Sequence, residues 1–240
     1  MSAIETAAPP PLPPLRIGMV IFPRMTLLDL AGPQLALFGH GPIHLLSETL
    51  DPVMTDSGIA ILPTTTFDDC PPALDILFVP GGSGAFDAVE NPRIIRFLQD
   101  HGQTARYITS VCTGSILLAA AGLMDGYKAT THWATIPILE EFGVEVVRER
   151  VVIDRNRVSG GGVTAGIDFG LTLLAELRGD VAAKCSQLMM EYDPRPPFDS
   201  GSPFVAAPEV VAIVNHMLAE PNAEGLGIVR RFRERSLTPA

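Results

Sequence analysis

Cys112 is the residue of this chain whose surroundings best suit covalent chemistry. It lies in the segment TSVCTGS, with the small residues Ser110 and Gly114 two places away on either side. This is the spacing of a nucleophile elbow, because so tight a strand-to-helix turn excludes large side chains at those two positions. The N-terminus of the helix that follows favours a thiolate, so we expect a lowered thiol pKa and a nucleophilic sulfur. A buried, inert cysteine is the alternative.

An isolated acid and a glycine-rich turn supply further candidates. Asp29 interrupts the apolar segment TLLDLAGP just past the first strand pattern, where a carboxylate is costly to bury unless it is paired or functional. It is either a helix cap or first-turn acid or, if it reaches Cys112, a general acid and base whose pKa burial raises. The turn FVPGGSG could direct the backbone N–H of Gly82, together with that of Thr113, at an anion developing beside the sulfur.

Two later segments contain candidates with weaker signals. ATTHWA brings together His132 and the single tryptophan, Trp133. Cysteine and histidine often work as a pair, although His132 could equally be structural. In SGGGVTAGIDF a flexible turn enters a helix, so Thr164 or Ile167 could line a pocket, and Asp168 is most simply a helix N-terminal acid.

Strand and helix patterns alternate along the part of the chain that would position these residues. RIGMVIF, DILFVPGG and RYITSV are apolar runs typical of strands buried on both faces, while NPRIIRFLQDHG, GSILLAAAG and GIDFGLTLLAEL have helical character. DRNR is typical of a hairpin connection. The alternation predicts an α/β sandwich with a parallel sheet, and Cys112 then lies at the carboxyl end of a strand, where doubly wound sheets bind ligands.

The organisation of the chain follows from composition. We expect residues 1–14, rich in Pro and Ala, to form a disordered tail, and residues 15–205 to form one domain. Residues 206–240 are predicted to form a helical extension with a basic, fraying end, packed on the domain or on a partner subunit. No membrane span is expected, since the longest apolar stretch is too short.

Charge and cysteine content exclude several classes of protein. A formal net charge of −10 argues against a nucleic-acid partner, because such binding depends largely on Lys and Arg. The three cysteines are far apart and form no C-x-x-C pair, which favours reduced thiols in the cytoplasm over a disulfide framework or a zinc site. The cysteine spacing therefore predicts no metal site.

Five blocks, LLDLAGP, PGGSG, TSVCTGS, ATTHWA and GGGVTAGIDF, resemble in order the ThiJ/PfpI superfamily and, within it, the isonitrile-hydrating branch. The resemblance extends from about residue 16 to about residue 205. It implies a flavodoxin-like three-layer sandwich of the class I glutamine amidotransferase type. It also implies a cofactor-independent homodimer that adds water to an isonitrile, R–NC, to give an N-substituted formamide.

By the same resemblance, Cys112 is the nucleophile, Asp29 is the acid and base, and Thr113, Gly82 and residues 164–167 shape the pocket. Many members of the superfamily have a glutamate in place of Asp29, and the shorter aspartate matches the hydratase branch. We therefore hypothesise that Cys112 attacks the isonitrile carbon to give a covalent thioimidate, which water then releases. Three alternatives stay open: another cysteine-dependent enzyme of glyoxalase or amidase type, a ligand-sensing domain as in AraC-type regulators, and a redox sensor.

Overall fold

Strands and helices alternate along the chain, and the computed structural model describes residues 12–237. Of the predicted tail, residues 1–11 lie outside the described residues, and residues 12–14 have no regular secondary structure. The strands are β1 (Ile17–Val20), β2 (Ile43–Ser47), β3 (Val53–Met54), β4 (Ala60–Ile61), β5 (Thr65–Thr66), β6 (Ile76–Val79), β7 (Tyr107–Val111), β8 (Lys128–Ala129), β9 (Glu145–Val146), β10 (Val151–Asp154) and β11 (Arg157–Gly160).

Seven strands form one sheet in the order β10-β11-β7-β6-β1-β2-β5. All neighbouring pairs are parallel except β10 and β11, which form the antiparallel hairpin predicted at DRNR. The central order β2-β1-β6-β7-β11 is that of a flavodoxin-like doubly wound sheet. Every residue of β1 and β6 is buried, because helices cover both faces of the sheet, and this explains their continuous apolar sequences. The four remaining strands pair separately, as an antiparallel hairpin of β3 and β4 and a parallel pair of β8 and β9.

Helices form a layer on each side of the main sheet. They are α1 (Leu27–Leu37), α2 (Gly84–Val89), α3 (Pro92–Gly102), α4 (Gly114–Ala120), α5 (Ile136–Glu140), α6 (Ala165–Arg178), α7 (Asp180–Met189) and α8 (Pro208–Leu237), with a 3-10 turn at Trp133–Thr135. α6 contacts β7 and β11 and packs with α1 and α7, whereas α4 contacts β6 and β7 and packs with α2, α3, α5 and α8. The predicted three-layer α/β sandwich is confirmed.

The N-terminus of α3 shows how the local sequence determines where a helix begins. The side chain of Asn91 accepts hydrogen bonds from the backbone N–H groups of Arg93 and Ile94, and Pro92 occupies the first turn. This is a side-chain N-cap, in which the proline loses no helical hydrogen bond. The apolar residues Ile94, Ile95, Phe97 and Leu98 of α3 are buried.

α8 is a helix of 30 residues whose second half is anchored on the domain. Val229 is fully buried, and a β-carbon at Gly225 would lie 2.7 Å from the ring of Phe86 in α2. None of the helices described between residues 12 and 237 is long and apolar enough to cross a membrane.

The basic end of α8 is held by ion pairs with other helices. Arg230 pairs with Glu141 at 2.6 Å, and Arg235 pairs with Glu90 at 2.7 Å. The described residues are helical as far as Leu237, and these ion pairs join the basic end of α8 to the domain.

Candidate active site

Three strand ends meet at the carboxyl edge of the sheet. β6, β1 and β7 run parallel, with β6 between the other two, so the segments that follow them converge. The chain passes from β1 to β2 on one side of β1 and later crosses to β6 on its other side. The carboxyl ends of β1 and β6 therefore form the topological switch point, where doubly wound sheets bind ligands. Asp29, Gly81 and Cys112 follow these three strands. The fold thus brings the two predicted catalytic residues together.

Cys112 occupies the sharp turn between β7 and α4. Its φ of 56° lies in the left-handed region that few residues other than glycine adopt and that marks a nucleophile elbow. The N–H of Cys112 donates to the carbonyl oxygens of Gly160 and Gly161, at 3.0 and 2.8 Å. The carbonyl oxygen of Cys112 accepts from the hydroxyls of Ser115 and Thr131, at 3.1 and 3.0 Å. Four hydrogen bonds therefore maintain the unusual backbone conformation of Cys112.

Glycines make room for the close approach of the three segments. A β-carbon at Gly114 would lie 2.2 Å from the carbonyl oxygen of Val79, at the end of β6. A β-carbon at Gly81 would lie 2.6 Å from Cβ of Cys112 and 2.7 Å from Oδ2 of Asp29. Neither position has room for a side chain, which is the steric requirement expected at an elbow.

Asp29 is the third residue of α1 and is completely buried. Its Oδ2 accepts a hydrogen bond of 2.9 Å from the N–H of Gly81, and its carboxyl also makes a side-chain hydrogen bond with Cys112. Its Oδ1 has no hydrogen-bond partner among residues 12–237. Since an unpaired buried oxygen is costly and the N-cap position belongs to Thr26, a reactive role explains Asp29 better than a cap does.

The protonation of this pair differs from the sequence-based expectation. Burial raises the pKa of Asp29 to about 7, although the hydrogen bonds from Gly81 and Cys112 favour its charged form. Burial and the adjacent Asp29 charge raise the pKa of the Cys112 thiol well above its ordinary value, while the N–H of Thr113 acts in the opposite direction. The prediction of a lowered thiol pKa is wrong, because desolvation and a like charge outweigh the start of a short helix. Asp29 is therefore placed to take the thiol proton as the sulfur reacts.

Gly82 and Thr113 lie at the site, and the role of Gly82 differs from the predicted one. The N–H of Gly82 donates to Oγ1 of Thr113 at 2.9 Å, and the same hydroxyl donates to the carbonyl oxygen of Gly82 at 2.9 Å. Because this N–H is already paired, Gly82 is not a free donor for a developing anion, which corrects the predicted role. The N–H of Thr113 does act on the Cys112 sulfur, and the Thr113 side chain does so too.

The start of α6 closes the site from the other side of α1. Ile167 packs against Gly32, where a β-carbon would lie 3.2 Å from its Cγ1. Thr164 precedes α6, and its Oγ1 accepts a hydrogen bond of 3.2 Å from Arg150. Arg150 also pairs with Asp168, which is the first-turn acid that the sequence predicts. Ile167 is thus packed on the helix that contains Asp29 and does not line the cavity described next, whereas Thr164 does.

A cavity of about 620 Å³ adjoins the elbow. Thr131 and Gly161, which bond the backbone of Cys112, belong to its wall, as does Thr164. Of the remaining wall, Trp133, Ile136, Pro137, Val163 and Phe204 are apolar, whereas Glu140, Arg148, Glu149 and Arg150 are charged. Cys112 and Asp29 do not themselves line this cavity, which adjoins them through Thr131 and Gly161 and can accommodate an organic group.

His132 lines the cavity but has a structural contact of its own. Its Nδ1 accepts a hydrogen bond of 3.3 Å from the N–H of Ala134, and burial lowers its pKa. The hydrogen-bonding side chains at the Cys112 sulfur are those of Asp29 and Thr113. The geometry therefore gives His132 the place of a wall residue next to Trp133.

Sequence reasoning missed two residues that organise the site. Gly81 precedes Gly82, and its backbone N–H binds the Asp29 carboxylate. Thr131 lies within the quoted ATTHWA block, and its hydroxyl fixes the elbow carbonyl. Both contacts join residues far apart in sequence. The sequence blocks could therefore indicate which segments form the site but not which atoms are in contact.

A doubly wound sheet with a cysteine elbow and a buried carboxyl beside the sulfur defines a class of thiol-dependent α/β proteins. Within this class, residues 15–176 match the model of the DJ-1/PfpI family, and the chain belongs to that family. The predicted superfamily is thereby confirmed.

Comparison with individual proteins shows which members of the family the chain resembles. The chain is 49% identical over 199 residues to isonitrile hydratase from Pseudomonas putida, covering 82% of this chain and 87% of that protein. Its fold matches the crystal structure of a ThiJ/PfpI family protein from Pseudomonas syringae with a TM-score of 0.89 and 42% identity, over 95% of this chain and 99% of that one. It is also 31% identical over 188 residues to the HTH-type transcriptional regulator GbdR from Pseudomonas aeruginosa, but this match covers only 51% of the regulator.

Proposed function

We propose that this protein is an enzyme that hydrates isonitriles to N-substituted formamides. The observation that carries the proposal is the Asp29 carboxyl, buried against Cys112 with a pKa raised to about 7. The reaction needs a nucleophile and one group that both takes and gives a proton near neutral pH, and this pair supplies both. The similarity to the Pseudomonas putida enzyme supports the substrate class.

In the first half of the reaction, the Cys112 sulfur attacks the terminal carbon of R–NC. The S–H bond breaks as the S–C bond forms, and the proton passes to Asp29. That carbon becomes basic as the sulfur adds, so Asp29 returns the proton to it. The product is the thioimidate R–N=CH–S–Cys112, which contains every atom of the isonitrile and of the thiol, and Asp29 is again a carboxylate.

In the second half, water attacks the same carbon. Asp29 takes one proton from the water and gives it to the nitrogen, so that R–NH–CH(OH)–S–Cys112 forms. As the C–S bond breaks, the hydroxyl proton returns to the sulfur through Asp29 and the formamide R–NH–CHO leaves. The thiol and the carboxylate are restored, and no electrons are gained or lost overall.

We place the R group in the cavity beside the elbow. The apolar part of its wall, with Trp133 and Phe204, suits an alkyl or aryl group. A small organic substrate is consistent with the similarity to the Pseudomonas putida enzyme.

We also propose a homodimer. Large apolar side chains are exposed on α7, on the connection to α8 and on the first half of α8, namely Val181, Leu188, Met189, Phe198, Phe204, Ile213 and Met217. So much exposed apolar surface favours burial against a second copy, and Phe204 would link such an interface to the cavity. The three free cysteines support the expectation of a reducing, cytoplasmic compartment.

Turnover of cyclohexyl isonitrile, followed as formamide by chromatography, tests the proposal. Wild-type protein should produce the formamide, Cys112→Ala should not, and Cys185→Ala should serve as the control because Cys185 is an exposed free thiol. Full turnover by Cys112→Ala would overturn the mechanism. Turnover of methylglyoxal or glutamine in place of the isonitrile would instead indicate a glyoxalase- or amidase-type enzyme.

The similarity to the transcriptional regulator GbdR favours a ligand-sensing role. A sensor would bind its ligand without converting it. Calorimetric binding of the isonitrile with no formamide formed would support that second function over the first.

A further inference from the structure

The hairpin of β3 and β4 lies outside the main sheet and contacts the loop that precedes α1. The N–H of Arg24 donates to the carbonyl oxygen of Met54 at 2.8 Å, and the N–H of Asp56 donates to that of Met25 at 3.0 Å. Asp56, in the turn of the hairpin, accepts a hydrogen bond of 2.6 Å on its Oδ2 from the hydroxyl of Thr26. The hairpin is thus fixed to the segment immediately before Asp29.

Thr26 connects this hairpin to the reactive carboxyl. Its N–H donates to the carbonyl oxygen of Gly81 at 2.9 Å, and its own carbonyl oxygen accepts from the N–H of Asp29 at 3.1 Å. The N–H of Gly81 in turn donates to Oδ2 of Asp29. Thr26, Gly81 and Asp29 therefore form a closed circuit of hydrogen bonds, and Asp56 holds it from outside.

The use of the Thr26 hydroxyl is unusual for its position. Thr26 is the N-cap residue of α1, where a threonine normally accepts a hydrogen bond from the N–H groups of the first turn. Here the side chain makes no such cap and donates to Asp56 instead. The first turn of α1 therefore lacks the usual stabilising side-chain cap. The Thr26 hydroxyl instead fixes the turn that leads to Asp29.

The charge of Asp56 also acts on Asp29. It raises the pKa of Asp29, in addition to the larger effect of burial. Cys112 is the other ionisable side chain that acts on this carboxyl, and α1 contains no further charged residue. The nearest arginine of the loop, Arg24, is paired with Asp87, and on α6 Asp168 is paired with Arg150.

We propose that Asp56 is a positioning residue for the reaction, which holds Asp29 against Gly81 and Cys112 through the hydroxyl of Thr26. This inference rests on the acid and base role of Asp29 in the proposed function. Asp56 is exposed and does not need to touch the substrate. Its hydrogen bond with Thr26 fixes the position of Asp29. Its negative charge raises the pKa of Asp29.

The test compares pH profiles of kcat and kcat/KM for cyclohexyl isonitrile. Asp56→Ala and Thr26→Val should each lower kcat about tenfold or more, because a displaced acid or base transfers protons poorly. Thr26→Ser should restore it, since the hydroxyl is kept. Asp56→Asn keeps an acceptor for Thr26 but loses the charge, so the pKa of Asp29 in the kcat/KM profile should move down. Asp51→Asn, an exposed acid near the same hairpin, is the control and should leave the profile where it is.

The outcomes separate this inference from the proposed function. If the wild type converts the isonitrile and Asp56→Ala has the same kcat and the same pH profile, only the positioning role is overturned. Absence of isonitrile turnover in the wild type would overturn the proposed function. The inference is then tested by the pH dependence of Cys112 alkylation by iodoacetamide. Asp56→Asn should shift that dependence to lower pH, and an unshifted curve would contradict the inference.

Discussion

Asp29 and Cys112 are two acidic side chains buried next to each other, and ionisation of either one is unfavourable there. The pKa of Asp29 is raised to about 7, and that of the Cys112 thiol is raised well above its ordinary value. Two groups coupled this closely exchange protons as a unit rather than independently. In the proposed mechanism, the sulfur becomes nucleophilic as the Asp29 carboxylate takes its proton.

Replacement of the carboxyl separates proton transfer from thiol reactivity. Asp29→Asn should reduce isonitrile turnover by a factor of about 10² to 10⁴, the usual range for loss of a general acid or base. Alkylation of Cys112 by iodoacetamide should persist or accelerate, because removal of the negative charge lowers the thiol pKa. Turnover and alkylation both at normal rates would contradict the role assigned to Asp29.

The raised pKa of Asp29 also predicts how stability depends on pH. In the unfolded chain this carboxyl ionises near 3.8, whereas in the folded chain it keeps its proton up to about pH 7. The folded state therefore binds the extra proton between these values, so the contribution of Asp29 to stability is full below about pH 3.8 and is lost as pH rises through about 7. A shift of this size corresponds to up to about 4 kcal/mol.

Urea unfolding of the wild type and Asp29→Asn at about pH 4 and pH 8 measures this effect. The asparagine cannot ionise, so the variant should gain on the order of a few kcal/mol relative to the wild type between the two pH values. Parallel changes in the two proteins would contradict the assignment of the pKa to Asp29.

At the scale of the element, the elbow and the glycine-rich turn are joined by the Thr113 hydroxyl. It accepts from the N–H of Gly82 and donates to the carbonyl oxygen of the same residue. Thr113→Val keeps the shape but leaves both buried groups unpaired, at a cost of about 1–3 kcal/mol each. Thermal unfolding should show a lower Tm and turnover should fall, whereas Thr113→Ser should stay near the wild type. Equal Tm values for the valine and serine variants would show that the contact contributes little.

The strand and helix alternation could be predicted because strands buried on both faces have unbroken apolar sequences. β1, β6, β7, α3, α4 and α6 were all found in this way. α1 was not predicted as a helix, since it contains Pro33 and lacks a polar face. α7 was also missed, being short and set off from α6 only by Gly179.

The site could be predicted only in part. Local spacing indicated Cys112 and Asp29, but the bond between Asp29 and Gly81 joins residues 52 positions apart. The pairing of Gly82 with Thr113 spans 31 positions. The thiol pKa was predicted in the wrong direction because desolvation depends on tertiary packing, which a segment of sequence does not contain.

At the scale of the whole molecule, the exposed apolar side chains of α7 and α8 predict self-association. Sedimentation velocity should give twice the chain mass for the wild type. The double variant Leu188→Glu/Met189→Glu should sediment as a monomer, because both side chains are more than 80% exposed in the single chain and charges there oppose burial. Arg96→Glu, on α3 in the other helical layer, is the control and should remain dimeric. A monomeric wild type would contradict the proposed dimer.

The central claim is that Cys112 forms a covalent thioimidate with the isonitrile and that Asp29 moves the protons. Mass spectrometry of protein quenched during turnover of cyclohexyl isonitrile tests it most directly. The account predicts a transient adduct on the Cys112 peptide whose added mass is that of the whole isonitrile, with none on the Cys70 or Cys185 peptides. Steady formation of the formamide with Cys112 unmodified at every quench time, and retained in Cys112→Ala, would contradict it.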